Sequence, residues 1–241
     1  MEILTNEDDI LRAVRSKSNS STAGSDGFCN GVWKIGNKTT ASIIKIVIKC
    51  RVNTCLFPNT LEWNKTIILF KNGESNEAHS WGPITIIPTL YRLLICRISR
   101  SLQTLNLVNR FISESQKGFV KIPAAASEHV TVSDEMIHDA SRLRNSLYIM
   151  TIDFRDALVS DPHGLIRKNL NDMRFNEQLV DSISSSYDKT YTRIISSNQK
   201  SRNLRISKGV KQGCPLSPTL FNICIESLLK VLNQHKEDGY H

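Results

Sequence analysis

Apolar residues recur every three or four positions in several stretches of the chain, which is the spacing of an amphipathic helix. Ile10, Leu11 and Val14 give one apolar face to a helix predicted over 7–17, with Asn6 as its N-cap. The same spacing predicts helices over 40–50, 89–102, 125–144, 179–187 and 220–232, and a turn followed by a helix over 157–170. The residues expected to face inward are Ile43, Ile44, Val47, Ile48, Leu90, Leu93, Leu94, Ile98, Val130, Met136, Ile137, Leu143, Ile223, Leu228 and Leu232.

Shorter apolar runs bounded by turn residues predict β-strands. Residues 62–70 form one such run, which ends at the turn Lys71-Asn72-Gly73, and 83–88 are expected to be extended. Two basic segments, 190–195 and 202–207, have the pattern of a β-hairpin.

The run 147–154 is almost continuously apolar and ends on a carboxylate, Asp153. This pattern predicts a buried strand that delivers an acid to its carboxyl end, where it serves as a metal ligand or catalytic acid. Asp also favours turns, so the residue could equally open the next turn. The pattern alone leaves both interpretations open.

Two glycines and two prolines lie within eleven residues, from Lys208 to Pro218, just before the last predicted helix. Glycine lets a backbone approach a ligand closely, and proline fixes φ, so the segment is expected to be a rigid, shaped loop. Its two lysines and one amide side chain are suited to a flat, anionic ligand. The alternative is a positively charged turn that leads into an amphipathic helix.

Charge is unevenly distributed along the 241 residues, whose formal net charge is +8. Three stretches contain basic residues and no acid, namely 27–61, 78–113 and 190–212. If these stretches converge on one face, they could neutralise phosphates, and this favours nucleic acid over ordinary solvated cations.

The six cysteines are scattered without a CxxC pair, so we expect reduced thiols and no zinc site. No stretch approaches the roughly 20 apolar residues of a membrane helix, and the acidic start lacks the apolar core of a secretory signal. The expected location is intracellular, in the nucleus or cytoplasm, without a membrane partner.

The segment 209–222 resembles the signature of reverse transcriptases from non-LTR (LINE-type) retrotransposons. Five further segments resemble motifs of that family in the same order along the chain. These segments are 23–28 ("A-G-P-D-G-I"), 63–73 ("W-K-x-x-x-x-x-I-P-K-x-G"), 81–84 ("W-R-P-I"), 116–119 ("Q-x-G-F") and 152–163 ("x-D-F-x-x-A-F…P-H"). Together they cover almost the whole chain.

The resemblance implies an α+β fold, a right-hand polymerase that is rich in helix and has a small, mainly antiparallel palm sheet. Residues 1–145 would form the fingers with the N-terminal helix and the helices that connect to the palm, and 146–241 would form a partial palm. It also implies RNA-directed DNA synthesis with two Mg²⁺ ions, or Mn²⁺ in their place. The implied partners are an RNA template with a DNA primer, or an RNA–DNA duplex, and deoxynucleoside triphosphates; no protein partner is indicated.

The resemblance also assigns roles to individual residues. Asp153 would be the catalytic metal ligand, with the Phe154 carbonyl beside it. The nucleotide would be bound by Lys71, Asp156, Ala157, Leu158, Gln212 and Gly213. Nucleic-acid phosphates would be contacted by Arg193, Arg202, Arg205, Lys208 and Lys211.

The sequence departs from the family pattern at three places. The Tyr-Ala-Asp-Asp motif, which supplies a second metal-bridging carboxylate, does not occur in the 241 residues. Gly82 replaces the arginine of "W-R-P-I", and Leu158 replaces the aromatic residue that excludes the ribose 2′-hydroxyl. We therefore expect a truncated reverse transcriptase domain that is inactive by itself; the alternatives are a non-catalytic nucleic-acid-binding module and a non-functional transposon remnant. The apolar 147–154 run, without the strand that carries the missing motif, also predicts poor solubility.

Overall fold

The computed structural model describes residues 5–55, 58–119, 125–154, 163–188, 190–196, 199–211 and 213–234. Its helices are α1 (Glu7–Arg15), α2 (Asn30–Ile35), α3 (Asn37–Thr54), α4 (Asn59–Glu62), α5 (Thr89–Asn109), α6 (Ala125–Leu143), α7 (His163–Asp172), α8 (Glu177–Asp188) and α9 (Ser217–Asn233). Its strands are β1 (Trp63–Phe70), β2 (Trp81–Ile86), β3 (Tyr191–Ser196), β4 (Gln199–Lys200) and β5 (Leu204–Arg205). The protein is rich in helix and has one small mixed sheet, as the predicted α+β class requires.

Helix α1 forms where its capping chemistry predicts it. The Asn6 side-chain oxygen accepts a hydrogen bond from the Asp9 amide at 3.0 Å, which satisfies one of the amides at the helix start. Ile10 and Val14 are buried in the core, and α1 packs against α3. Helices α3 and α5 extend beyond their predicted ends, and α2 was not predicted.

The sheet joins segments that are far apart in the sequence. Its order is β2-β1-β3-β4, with β5 paired to β3 beside β4. The β1–β3 pairing is parallel and the other pairings are antiparallel, so the expected mainly antiparallel character is present. Because β1 and β3 lie on opposite sides of residue 145, the sheet crosses the proposed boundary between fingers and palm. That division into 1–145 and 146–241 stays a prediction.

Helix α5 lies at the centre of the core. Seven consecutive residues, from Leu93 to Ser99, are buried, which means that other elements surround this part of the helix. The predicted inward residues Leu93, Leu94 and Ile98 are among them. The same apolar cluster includes residues of α1, α3, α7, α8 and α9, so one core connects the two ends of the chain.

Several residues predicted to face inward are instead exposed. In α6, Val130 is 70% exposed, and Ile137 and Leu143 are also exposed. The prediction is also wrong for Ile43 of α3 and for Leu228 and Leu232 of α9, which are exposed. Helical spacing identifies an apolar face, but burial also needs a second element to cover it, and none of the residues in the described ranges does so here.

The predicted strand over 147–154 is wrong for this structure. These residues have no regular secondary structure, and Tyr148 and Met150 are 92% and 81% exposed. A buried strand needs hydrogen-bonding neighbours, whereas the five strands seen in the described ranges pair only with one another. The expected neighbour, the strand of the Tyr-Ala-Asp-Asp motif, is not among the 241 residues.

Candidate nucleic-acid interface

The loop 208–218 takes its shape from its two glycines. Gly209 and Gly213 have φ values of +77° and +85°, a region that other residues rarely adopt. A Cβ atom at Gly213 would lie 2.8 Å from the Thr85 carbonyl oxygen of β2. The loop therefore comes directly against the sheet, at a position that excludes any side chain.

Hydrogen bonds from three directions hold this loop in place. Ser99 of α5 donates to the Pro215 carbonyl at 2.9 Å, and His163 Nε2 donates to the Gly209 carbonyl at 3.0 Å. Within the loop, the Ser217 hydroxyl donates to the Lys211 carbonyl at 2.7 Å. With Leu216 fully buried beneath them, these contacts make the loop a fixed platform, as its composition predicts.

Lys211 does not point into solvent. Its amine lies 3.0 Å from the Tyr91 hydroxyl, 4.4 Å from the centre of the Tyr91 ring and 5.5 Å from the Tyr187 ring. Burial lowers the pKa of Lys211 to about 8, although the nearby Cys214 acts in the opposite direction. In this structure the amine ties the loop to α5 and α8, whereas sequence reasoning assigned it to phosphate. That phosphate contact stays a prediction and would require the side chain to leave its aromatic surroundings.

The other four predicted phosphate-binding cations are exposed. Arg193, Arg202, Arg205 and Lys208 lie on β3, on the β4–β5 connection, on β5 and at the loop start. The Arg193 guanidinium stands 5.4 Å from the centre of the Trp63 ring, and its Nε donates to the Asn203 side chain at 2.6 Å. Arg205 donates to the Asp188 carbonyl at 3.0 Å. The hairpin therefore presents a cationic surface beside the platform.

Lys71 lies at the far end of β1, beside Gly82 of β2. Its amide donates to the Ser80 carbonyl at 2.8 Å, and its side chain crosses the strand, since a Cβ at Gly82 would meet Lys71 Cε. The space left by the replaced arginine is thus taken up by the lysine stem. Thr85, which Gly213 touches, is three residues farther along β2, or about 10 Å. The structure thereby brings the predicted nucleotide-binding residues Lys71 and Gly213 to one strand.

Only part of the predicted metal and nucleotide site lies among the described residues. Asp153 and Phe154 are on the exposed 145–154 segment, and Asp156, Ala157, Leu158 and Gln212 lie outside the described residues. Within the described ranges, no three His, Cys, Asp or Glu side chains come together to hold a metal ion. A pair of Mg²⁺ ions usually requires more carboxylates than Asp153 alone, so the described residues do not fit a two-metal centre.

Sequence reasoning missed the aromatic residues that surround the basic ones. Tyr91 and Tyr187 enclose Lys211, and Trp63 supports Arg193 while its ring stacks on Tyr191 at 5.2 Å. A visible signal for Trp63 was its position two residues before Lys65 at the start of β1, which puts the ring and the cation on the same face of the strand. Tyr91 and Tyr187 carried no such signal, because they meet Lys211 only through the packing of α5 and α8.

Membrane insertion finds no support in the helices. In the part of the chain that the structure describes, none has both the length and the apolar character needed to span a bilayer.

Comparison with known proteins gives a family match over most of the chain. Residues 70–240 match the family described as "Reverse transcriptase (RNA-dependent DNA polymerase)". The chain is 29% identical over 166 residues to the "Retrovirus-related Pol polyprotein from type-1 retrotransposable element R2" of Popillia japonica, which covers 68% of the chain. It is 26% identical over 224 residues, or 92% of its length, to the corresponding R2DM polyprotein of Drosophila melanogaster.

A similarity of 21% over 227 residues links the chain to the "Transposon TX1 uncharacterized 149 kDa protein" of Xenopus laevis. The chain spans only part of these relatives: 23% of the Popillia protein, 20% of the Drosophila protein and 17% of the Xenopus protein.

Proposed function

Because the chain belongs to the reverse transcriptase (RNA-dependent DNA polymerase) family, with relatives among R2 retrotransposon polyproteins, we propose that it holds primer–template nucleic acid but does not complete nucleotide transfer by itself. The observation that carries this proposal is the fixed 208–218 platform, which lies against β2, begins with the exposed Lys208 and follows a hairpin that exposes Arg193, Arg202 and Arg205. The family description, RNA-dependent DNA polymerase, supports the substrate class in this proposal, a nucleic-acid template with its primer.

Each described residue has a limited task in this proposal. Gly213 is exposed and fits against the Thr85 carbonyl of β2 only because it has no side chain, so a nucleotide could approach its backbone from the solvent side. Lys71 offers one cation to a triphosphate on the same strand. Arg202, Arg205 and Lys208 neutralise backbone phosphates without reading bases, so affinity should be independent of sequence.

The chemical step is not assigned to this chain. Mg²⁺ serves the family in general, but Asp153 stands on an exposed segment, and the described residues form no group of three metal-ligating side chains. We therefore derive no metal-dependent step, and expect binding without turnover.

Binding is tested by fluorescence anisotropy with a recessed RNA–DNA duplex at several salt concentrations. Replacing Arg202, Arg205 and Lys208 together with Gln should weaken binding and reduce the salt-dependence slope by about one for each phosphate that the variant no longer neutralises. Lys168→Gln is the matched control, since it removes an exposed lysine of α7 outside all three acid-free stretches. No binding at low salt, or equal slopes for the triple variant and the wild type, would overturn this half of the proposal.

Turnover is tested by primer extension on an RNA template, first with Mg²⁺ and then with Mn²⁺. The expected result is no extension in either metal. Processive extension that disappears in Asp153→Ala would show that the chain is an active polymerase and would overturn the second half.

A further inference from the structure

A cleft of about 710 Å³ lies over the start of β1, between the loop 24–29 and the β3–β4 hairpin. Its volume is in the range of small-ligand sites. Three aromatic side chains and three cations line it, namely Phe28, Trp33, Trp63, Lys65, Arg193 and Lys200. The cleft is remote from Lys71, because Lys65 and Lys71 are six residues, or about 20 Å, apart along β1. It is therefore separate from the nucleotide position proposed above.

The loop that closes one side of the cleft is firmly held. One Asp26 carboxylate oxygen accepts from the Thr89 amide at 3.0 Å, and the other accepts from the Phe28 amide at 3.3 Å. Thr89 in turn donates its hydroxyl to the Phe28 carbonyl at 2.7 Å. Asp26, the only acid that lines the cleft among the described residues, thus binds backbone amides and holds Phe28 against the start of α5.

The aromatic rings of the cleft are held in place by neighbouring rings. Trp63 stacks on Tyr191 with 5.2 Å between ring centres and 27° between planes. Phe28 meets Trp33 edge to face at 6.1 Å and 76°. Fixed rings of this kind are platforms on which an unpaired base can stack at little entropic cost.

Two polar atoms at the cleft have no hydrogen-bond partner among the described residues. Asn64 is 2% exposed, and its amide nitrogen donates to the Glu62 and Tyr191 carbonyls, but its Oδ1 has no partner. The buried indole nitrogen of Trp33 is in the same state. Both atoms are closed off from solvent, so a ligand with donors and acceptors, such as a base edge, would satisfy them only after these cleft-lining side chains turn toward it.

The three cations of the cleft are placed to bind a phosphate beside the aromatic rings. Lys65 and Arg193 are direct partners in the parallel β1–β3 register, and Lys200 faces Ile195 across the hairpin. Their convergence beside the rings is suited to a phosphate attached to an aromatic base.

We propose that this cleft binds one unpaired nucleotide of a single-stranded RNA or DNA, with its base against the Phe28 and Trp63 rings and its phosphate toward Lys65, Arg193 and Lys200. The proposal rests on the proposed function, since it specifies how an unpaired strand would engage the same basic surface. It adds a base-stacking position that duplex phosphate contacts do not require.

The test compares ligands that differ only in their bases. A thymidine 12-mer, a uridine 12-mer, a 12-mer of abasic spacers with the same phosphates and a blunt RNA–DNA duplex are titrated against the protein. The expected result is that a base-bearing strand binds at least about fivefold more tightly than the abasic strand. In a Trp81→Phe background, the remaining tryptophans, Trp33 and Trp63, both line the cleft, so their fluorescence should change on binding.

Two variants separate base from phosphate recognition. Phe28→Leu should reduce affinity for base-bearing strands about fivefold while leaving the abasic strand unchanged, and Arg193→Gln should weaken both. Tyr148→Leu and Lys168→Gln are matched controls outside the cleft and should bind as the wild type does. Melting curves of every variant confirm that a loss of binding is not a loss of folding.

The outcomes distinguish this inference from the function on which it rests. Equal affinity for base-bearing and abasic strands, or unchanged affinity in Phe28→Leu, overturns the cleft proposal even if the blunt duplex binds well. Failure of every ligand to bind overturns both proposals. Base-dependent binding supports the cleft, and the uridine and thymidine arms then show whether it prefers RNA or DNA.

Discussion

At the scale of single residues, the most informative position is Lys211, a buried amine enclosed by two tyrosines. Its pKa of about 8 is below the 10.5 of an exposed lysine because burial disfavours the charged form. The folded state therefore binds its proton less tightly than the unfolded state does. The resulting penalty is complete below pH 8, decreases as the pH rises from 8 to 10.5, and is absent above that range.

Replacing Lys211 with Met should consequently stabilise the protein at pH 7. The pKa difference corresponds to about 3 kcal/mol at pH 7, from which the lost attraction of the amine to Tyr91, about 0.5–2 kcal/mol, is subtracted. Urea unfolding of wild type and Lys211→Met should show this advantage shrink by about 2 kcal/mol between pH 7 and pH 9.5. Lys168→Met, at an exposed position, is the control for the loss of a positive charge. An advantage that does not vary with pH would mean that the amine is not buried as described.

At the scale of secondary-structure elements, the parallel pairing of β1 with β3 joins the two halves of the chain. Thr66 and Thr192, 126 positions apart, bring their hydroxyl oxygens to 2.7 Å in the buried part of this pairing. Removing one hydroxyl leaves the other without this partner in a buried place, whereas removing both removes the pair together. Each hydroxyl also has a longer second contact, Thr66 with the Thr85 hydroxyl at 3.2 Å and Thr192 with the Asn64 carbonyl at 3.3 Å.

A double-mutant cycle on Thr66→Val and Thr192→Val should therefore be non-additive. We expect each single variant to lose about 1 kcal/mol of unfolding free energy and the double variant to lose less than the sum, with a coupling of about 0.5–1.5 kcal/mol. Chemical denaturation of the four proteins measures it. Additive effects would indicate that β1 and β3 do not pair in this register.

Elements set by local chemistry were predictable, and elements set by distant partners were not. Asn6 caps α1 and the glycines shape the 208–218 loop, and both features depend only on residues that are close in the sequence. The β1–β3 pairing, by contrast, brings Trp63 next to Tyr191, and no periodicity in either segment encodes that meeting. Lys211 was assigned to phosphate from its basic sequence context and the family resemblance, while its burial depends on Tyr91 and Tyr187 from two other helices. The cleft escaped prediction for the same reason, since four separate segments of the chain line it.

At the scale of the whole molecule, most helices contribute to the apolar core, but two segments contribute little to it. One apolar core takes in α1, α3, α5, α7, α8 and α9, while the described part of α6 and the segment 145–154 lie largely outside it. In place of the predicted strand there is an exposed apolar run without regular secondary structure, which is a surface prone to associate with other chains.

We therefore expect the protein to associate as its concentration rises, through this run. Changing Tyr148 and Met150 together to Ser should shift the population toward monomer, because it removes two exposed apolar side chains from the surface. Both side chains are almost fully exposed, so the change should have little effect on the stability of the fold. Leu107→Ser with Val108→Ser is the matched control: this pair is also strongly exposed but lies in the helical backbone of α5, which offers no strand edge. Gel filtration with light scattering at two concentrations measures the mass of each protein. A monodisperse wild-type monomer, or an equal effect of the two double variants, would show that association does not start from the exposed residues 147–154.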